Sequence, residues 1–166
     1  MEQPSTQTRK PLFFEDLKLG DVWTSQQREL SQGEIHEFAD LTGDHNPIHV
    51  DEDYAANTPF GEPIAHGLLG LSITGGLTNA ALCPSMVLLQ IHQWQFHRPI
   101  YVGERLTVVS RVLALRDYGR RHGEVLWEHR LLNERGEVCQ EGSFTTLVNR
   151  RHVMRTKLHQ PPPPAM

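Results

Sequence analysis

The sequence has few of the features that mark secreted, membrane or nucleic-acid-binding proteins. Only two of its 166 residues are cysteines, Cys83 and Cys139, so we expect no disulfide framework and predict a reducing compartment. No apolar run approaches the roughly 20 residues that span a bilayer, and we expect no signal peptide at the polar N-terminus. The formal net charge of -4 offers no basic excess for nucleic acid. We therefore expect a cytoplasmic protein that binds neither membranes nor nucleic acids.

The length favours one domain with a tail at each end. Residues 1–11 are polar and bounded by proline, which predicts a flexible N-terminal tail. Residues 12–149 are predicted to form the single domain. A domain of this size buries roughly 70% of the surface that its unfolded chain exposes, so it needs no disulfides or metal ions for stability. Residues 150–166 begin with basic residues and include four consecutive prolines, which predicts a second, extended or disordered tail.

The pattern of apolar residues predicts an α+β domain. A capping box from Ser31 to Glu34 predicts a helix over 32–41, which Gly43 ends. Residues 67–82 carry no charge and are apolar on every side, which predicts a helix buried in the middle of the protein. Alternating residues then predict strands over 87–97, 106–115, 125–131 and 138–147, with a hairpin loop over 133–137 and an earlier strand over 22–30. We expect an antiparallel sheet wrapped on one buried helix.

The region 38–76 contains the residues best suited to chemistry. Asp44 and His49 lie five residues apart in a segment that Gly43 and Pro47 keep from being a plain helix. A glycine-containing helix start at Gly67 follows within about one loop length. This order predicts an acid/base pair that faces a helix N-terminus able to hold a developing anion.

These residues also resemble a known family. The segments 42–51 (TGDHNPIHVD) and 64–67 (IAHG) resemble the signature of MaoC-like, (R)-specific enoyl-CoA hydratases, and 96–104 (FHRPIYVGE) resembles a later family segment. The resemblance extends from about residue 13 to residue 148 and implies a hot-dog fold, in which a curved antiparallel sheet wraps a long central helix. It also implies a homodimer or larger homo-oligomer that hydrates trans-2-enoyl-CoA to (R)-3-hydroxyacyl-CoA without a metal or organic cofactor.

The resemblance implies roles for individual residues. Asp44 and His49 match the catalytic pair, and the amide matching Gly67 holds the thioester carbonyl. Asn46 matches a recurrent polar residue, which we assign to orienting the pair or the water. The candidate substrate-binding residues are His66, Gly75 and Arg98. We assign Arg98 from its charge alone, which suits the coenzyme A phosphates, and the alternative for His66 is a structural role as a polar group near the helix start. Gly75 stands where some members have a serine near the catalytic water, which leaves water positioning and chain-length preference open.

Two other functions remain open at this point. A hot-dog acyl-CoA thioesterase would act on the same class of bond, with its base placed against the carbonyl carbon. A non-catalytic subunit that binds acyl thioesters would not need a proton shuttle. We predict no metal, because no two of Asp44, His49, His66, His92 and His97 have the i, i+4 spacing of a zinc-binding helix.

Overall fold

The computed structural model describes residues 12–81 and 86–151. The tail predicted over 1–11, Cys83 and most of the tail predicted over 150–166 therefore lie outside the described residues. Within the described part of the chain, no helix is both long and apolar enough to cross a membrane.

In the described part of the chain, four helices and six strands follow a short 3₁₀ turn at Phe14–Asp16. The helices are α1 (Gln32–Thr42), α2 (Pro47–Val50), α3 (Glu52–Ala56) and α4 (Gly67–Ala81). The strands are β1 (Val22–Thr24), β2 (Arg28–Glu29), β3 (Met86–Phe96), β4 (Arg105–Tyr118), β5 (His122–Leu132) and β6 (Val138–Asn149). Helix α1, the four long strands and the loop over 133–137 lie where the sequence predicted them.

All strand pairs are antiparallel, in the order β1-β4-β5-β6-β3, and β2 pairs with β4. Strand β3 therefore forms one edge of the sheet. Helix α4 packs on the sheet through Leu69 and Ile73, which share a core cluster with Leu106, Val108 and Leu131. The observed α+β architecture confirms the predicted fold class.

Two local predictions differ from the structure. The strand predicted over 22–30 is divided into β1 and β2, because the Ser25 hydroxyl accepts a hydrogen bond from the Val108 amide at 2.9 Å and interrupts regular pairing. Helix α4 was predicted to be buried on every side, but Leu68 is 61% exposed. A single sheet covers only one face of the helix, so the other face of α4 lies open in one chain.

Gly70 of α4 makes room for a buried side-chain network. The Gln140 amide donates to the Gly67 carbonyl at 3.1 Å and accepts from the Trp94 indole at 3.1 Å. A Cβ at Gly70 would overlap the Gln140 side chain, whereas a Cβ at Gly76 would meet nothing within 4 Å.

We therefore expect Gly70→Ala to destabilise the protein by about 1–3 kcal/mol through overpacking. The matched control, Gly76→Ala on the same helix, should raise stability by about 0.5–1 kcal/mol because alanine favours helix. Chemical denaturation of both variants measures the contrast. Equal unfolding midpoints would contradict this account of Gly70.

The first two residues of the predicted C-terminal tail contact the fold. Arg150 pairs with Asp117 and lies 4.9 Å from the centre of the Phe14 ring. Arg151 pairs with Asp16. These contacts join the C-terminal end of β6 to the 3₁₀ turn at the start of the domain.

Candidate active site

Short-range caps shape the loop that carries Asp44 and His49. Gly43 ends α1 in the left-handed conformation, with φ of 77°, and its amide donates to the Ala39 carbonyl. Asn46 caps α2, since its side-chain oxygen accepts from the Ile48 amide at 3.2 Å. The chain thus turns sharply after α1 and places His49 on a short helical turn.

Of the two ring nitrogens of His49, only Nδ1 has a hydrogen-bond partner among the described residues. Its Nδ1 lies 2.7 Å from the Ile64 carbonyl oxygen, which can only accept, so Nδ1 carries the hydrogen and Nε2 keeps its lone pair. Burial, aided by neighbouring His66, lowers the pKa of His49, while the Ile64 carbonyl and Asp44 oppose the change. The half-buried imidazole is therefore neutral, and able to accept a proton, at neutral pH.

His66 connects the two candidate catalytic residues. It is 2% exposed, and its Nε2 donates to the backbone carbonyl of Asp44 at 2.8 Å. Its ring stacks on the His49 ring with a centroid distance of 3.8 Å, and Phe38 of α1 lies 5.1 Å away. Its Nδ1 has no hydrogen-bond partner among the described residues. One buried ring thus supports the backbone of Asp44 and the imidazole plane of His49.

The three side chains converge on a small volume. A carboxylate oxygen of Asp44 and one ring nitrogen each of His49 and His66 lie within 4.8 Å of one another. A water that forms hydrogen bonds of about 2.8 Å to two groups can bridge them when they lie about this far apart. Asp44 is exposed, so solvent reaches the cluster. The geometry suits a water held between a carboxylate and a neutral imidazole.

The same three groups are chemically able to bind a divalent cation. The His49 and His66 rings are stacked, however, with planes only 30° apart. In-plane lone pairs of stacked rings do not readily converge on a point about 2.0–2.1 Å from both nitrogens, as zinc requires. The arrangement fits a bridging water better than a metal ion.

Gly67 begins α4 one residue after His66. First-turn amides of a helix have no intrahelical acceptor and carry the positive end of its dipole. A Cβ at Gly67 would lie 2.9 Å from the Phe96 ring, so the absence of a side chain permits this close packing. The helix start is therefore adjacent to the histidine cluster in the chain and partly covered by an aromatic ring.

The structure places Gly75 well beyond the helix start and Arg98 in an exposed ion pair. Gly75 lies eight residues beyond Gly67, which is about 12 Å along the helix. The side chain of Arg98 is 54% exposed and pairs with Glu137 at 3.4 Å. A role for Arg98 in binding coenzyme A phosphates stays a prediction.

Comparison with known proteins now places the chain in a family. The family model described as "MaoC like domain" matches residues 18–130, more than half of the chain. The chain belongs to the MaoC-like dehydratase family. A 3-hydroxybutyryl-CoA dehydratase of Methylorubrum extorquens is 40% identical over 108 residues, covering 63% of this chain and 66% of that protein. An (R)-specific enoyl-CoA hydratase of Rhodospirillum rubrum is 35% identical, covering 62% of this chain and 71% of that protein.

Solved structures of MaoC-like proteins have the same fold. A MaoC-like dehydratase from Rhodospirillum rubrum matches 84% of this chain and 98% of its own, with 30% identity and a TM-score of 0.76. An R-hydratase from Pseudomonas aeruginosa matches 94% of this chain and 97% of its own, with 25% identity and a TM-score of 0.74. These matches confirm both the family resemblance and the hot-dog fold predicted from the sequence.

Sequence reasoning did not find the contacts that orient this MaoC-like site. We assigned His66 to substrate binding, and nothing in its spacing indicated that its ring stacks on His49. The Ile64 carbonyl that orients His49 carries no side-chain signal at all. The only available indication was that both residues belong to the segment 64–67, which directly precedes α4.

Proposed function

We propose that the protein hydrates a trans-2-enoyl thioester, such as an enoyl-CoA, to the (R)-3-hydroxyacyl thioester. The observation that carries the proposal is the approach of the Asp44 carboxylate to the His49 imidazole, whose Nδ1 is already committed to Ile64. The named activities of the relatives from Methylorubrum extorquens and Rhodospirillum rubrum support it.

The proposed reaction uses these residues in the following way. Nε2 of His49 takes one proton from the water as its oxygen bonds to C3, while Asp44 accepts a hydrogen bond from the other proton. The electron pair of the C2–C3 double bond moves toward the thioester carbonyl, whose oxygen becomes an enolate. The amide of Gly67 donates to that oxygen at the positive end of α4. The proton on His49 then passes to C2, so that one water has been added and both residues are restored.

A two-readout assay with crotonyl-CoA tests the proposal. Hydration removes the absorbance of the conjugated enoyl group without releasing a thiol, and the product should be the (R)-3-hydroxy isomer. Release of free thiol would instead indicate a thioesterase. Binding without either change would indicate an acyl-thioester-binding subunit and would overturn the proposal.

His66 acts in this proposal as a positioning residue. Replacing it by phenylalanine preserves an aromatic ring against His49 but removes the donor to the Asp44 carbonyl. We expect kcat to fall by about 10–100-fold, since small misplacements of reacting groups have effects of this size. His66 also helps to lower the pKa of His49. The acid limb of the kcat/KM profile, which lies below pH 6.5 in the wild type, should therefore move to higher pH.

The pH profile separates positioning from a purely structural role. A structural defect would lower the melting temperature and kcat without moving the acid limb. Phe38→Leu, which changes the other neighbour of His66 and leaves both imidazoles, serves as the matched control. An unmoved acid limb in His66→Phe would contradict the assignment.

We also propose that two chains associate through the edge strand β3. Exposed apolar side chains are concentrated on this strand, and Leu68 is exposed on the open face of α4. The exposed apolar residues of β3 are Val87, Leu88, Leu89, Ile91 and Phe96. An unpaired edge with this composition favours pairing with a second strand. A homodimer would cover this edge. Separately, we keep the cytoplasm as the proposed compartment, which is supported by the low cysteine content.

Leu89→Arg should weaken this association. The new charge would lie within an apolar interface and would have no partner there. Analytical ultracentrifugation should show wild-type dimers and a shift of Leu89→Arg toward monomers at the same concentration. Leu113→Arg, which alters an exposed leucine of the interior strand β4, should remain dimeric. Equal sedimentation of wild type and Leu89→Arg would contradict the proposed interface.

A further inference from the structure

The first residue of α4 is a glycine, and its direction has to be fixed by its surroundings. Gly67 lies at the very start of the helix, where backbone hydrogen bonds are fewest. Glycine also has more accessible backbone conformations than other residues, and helix ends fray. A backbone donor contributes to transition-state stabilisation only if it already points at the position of the developing charge. The contacts that hold Gly67 are therefore relevant to the proposed reaction.

Hydrogen bonds hold the peptide groups on both sides of Gly67. On one side, the His66 carbonyl accepts from the Leu69 and Gly70 amides at 3.0 and 3.3 Å, which fixes the peptide plane that carries the Gly67 amide. On the other side, the Gly67 carbonyl accepts from Nε2 of Gln140 at 3.1 Å. The first contacts belong to the helix itself, whereas the second reaches it from β6, 73 residues further along the chain.

The side-chain amide of Gln140 has only one orientation that satisfies both of its partners. The Trp94 indole can only donate, so it requires Oε1, which it contacts at 3.1 Å. The Gly67 carbonyl can only accept, so it requires Nε2. Gln140 is 2% exposed, which keeps water from competing for either bond. The amide is thus a rigid anchor for the start of α4.

The strand beside Gln140 supplies a further contact to the same glycine. Phe96 of β3 is paired with Gln140 in the sheet register. A Cβ built on Gly67 would lie 2.9 Å from the Phe96 ring, so the ring packs directly against the Gly67 backbone. One cross-strand pair therefore contacts both the carbonyl and the α-carbon of Gly67.

Resting on the proposed function, we propose that Gln140 is a positioning residue, which holds the Gly67 peptide so that its amide points at the thioester oxygen. Gln140 acts through Gly67, because its own two polar atoms are committed to Gly67 and Trp94. The negative charge on the thioester oxygen develops in the transition state, so a misdirected amide affects turnover more than substrate binding. A merely structural tie between helix and sheet would affect stability alone.

Gln140→Met tests this inference, because methionine has a similar length but lacks the hydrogen-bonding groups. We expect kcat for crotonyl-CoA to fall about tenfold with little change in KM. This loss is smaller than the 10²–10³-fold caused by removing an entire oxyanion donor, since the Gly67 amide remains present.

A spectroscopic readout follows the hydrogen bond itself. Butyryl-CoA labelled with ¹³C at the carbonyl is saturated and therefore cannot be hydrated. Isotope-edited infrared spectroscopy should show a lower carbonyl stretching frequency when this thioester is bound to the wild type than when it is free. In Gln140→Met the frequency should move back toward that of the free thioester.

A variant on the same strand provides the matched control. Thr146 of β6 is buried, and its hydroxyl accepts from the Trp127 indole at 2.8 Å. Thr146→Val leaves that indole without its acceptor, just as Gln140→Met does for Trp94. It should therefore lower the melting temperature while kcat and the carbonyl frequency stay at the wild-type values.

The outcomes distinguish the positioning role from the reaction. A folded Gln140→Met with the wild-type kcat, or with a lower kcat but an unmoved carbonyl frequency, would overturn the assignment. If Gln140→Met does not fold, Gly70→Ala decides, because its Cβ would displace the Gln140 amide, with Gly76→Ala as its control. If the wild type does not hydrate crotonyl-CoA, the proposed function fails, and butyryl-CoA still tests Gln140. A carbonyl shift that the variant loses supports the role, and equal shifts or no wild-type shift overturn it.

Discussion

Replacing His49 by alanine is expected to lower kcat for crotonyl-CoA hydration by about 10²–10⁴-fold, the usual contribution of a positioned acid or base. Asp44→Asn should have an effect of the same order, because it retains the shape of the side chain but removes its charge. Both groups are proposed to hold one water, so the double variant should be little slower than the slower single variant. Stopped-flow or steady-state loss of enoyl absorbance measures all three.

A neighbouring histidine provides the control for this experiment. His45 is exposed and lies 3.7 Å from the Asp40 carboxylate, outside the stacked cluster. His45→Ala should keep kcat within about threefold of the wild type, since exposed substitutions rarely change the fold. Circular dichroism and thermal melting should show that all variants remain folded. Wild-type turnover in a folded His49→Ala or Asp44→Asn would refute the assignment.

Acidification is expected to destabilise the protein through His129, which is fully buried in β5. Burial lowers the pKa of this ring to about 3 in the folded protein, compared with about 6.5 in the unfolded chain. The unfolded state therefore binds more protons than the folded state between these two pH values. The contribution of neutral His129 to the free energy of unfolding is fully present above pH 6.5 and decreases as the pH falls toward 3. The free energy of unfolding should fall by about 1.4 kcal/mol for each pH unit in this window, or about 5 kcal/mol in total.

The difference between two stability curves isolates this contribution, because carboxylates titrate in the same range. His129→Phe should lack the part of the slope that begins near pH 6, whereas His122→Phe should retain it. Denaturant unfolding at several pH values measures both curves. If His129→Phe and the wild type lose stability in parallel between pH 6.5 and 4, then the buried ring is not the source.

The sequence allowed the proposed reaction residues to be predicted but not the interactions that hold them in place. Asp44, His49 and Gly67 belong to two short segments, 42–51 and 64–67, so local pattern and family resemblance were enough to predict a role for them. The partner of each group lies in another part of the chain: His66 reaches the Asp44 carbonyl across 22 residues, and His49 reaches Ile64 across 15. Backbone carbonyls and stacked rings at such separations leave no periodic signal.

For helix α4, too, the sequence predicted a property that the structure of one chain shows only in part. Its lack of charge predicted burial, yet the sheet of one chain covers only one face and leaves Leu68 exposed. The apolar composition of a helix indicates that its faces are covered in the final assembly, but it does not show whether one chain or two chains cover them. The exposed face and the apolar edge of β3 are therefore consistent with one interface, which we offer as a proposal.

Local sequence was enough to predict four features: the capped start of α1, the turn at Gly43, the hairpin loop over 133–137, and the order of acid, base and helix start. These features depend on hydrogen bonds and torsion angles within a few residues, which neighbouring side chains control. The contacts of His66 with the Asp44 backbone and the His49 ring, and the position of His129 beside a cavity, depend on the tertiary fold. Those contacts join segments that are distant in the chain, and they exist only after the sheet has closed on α4.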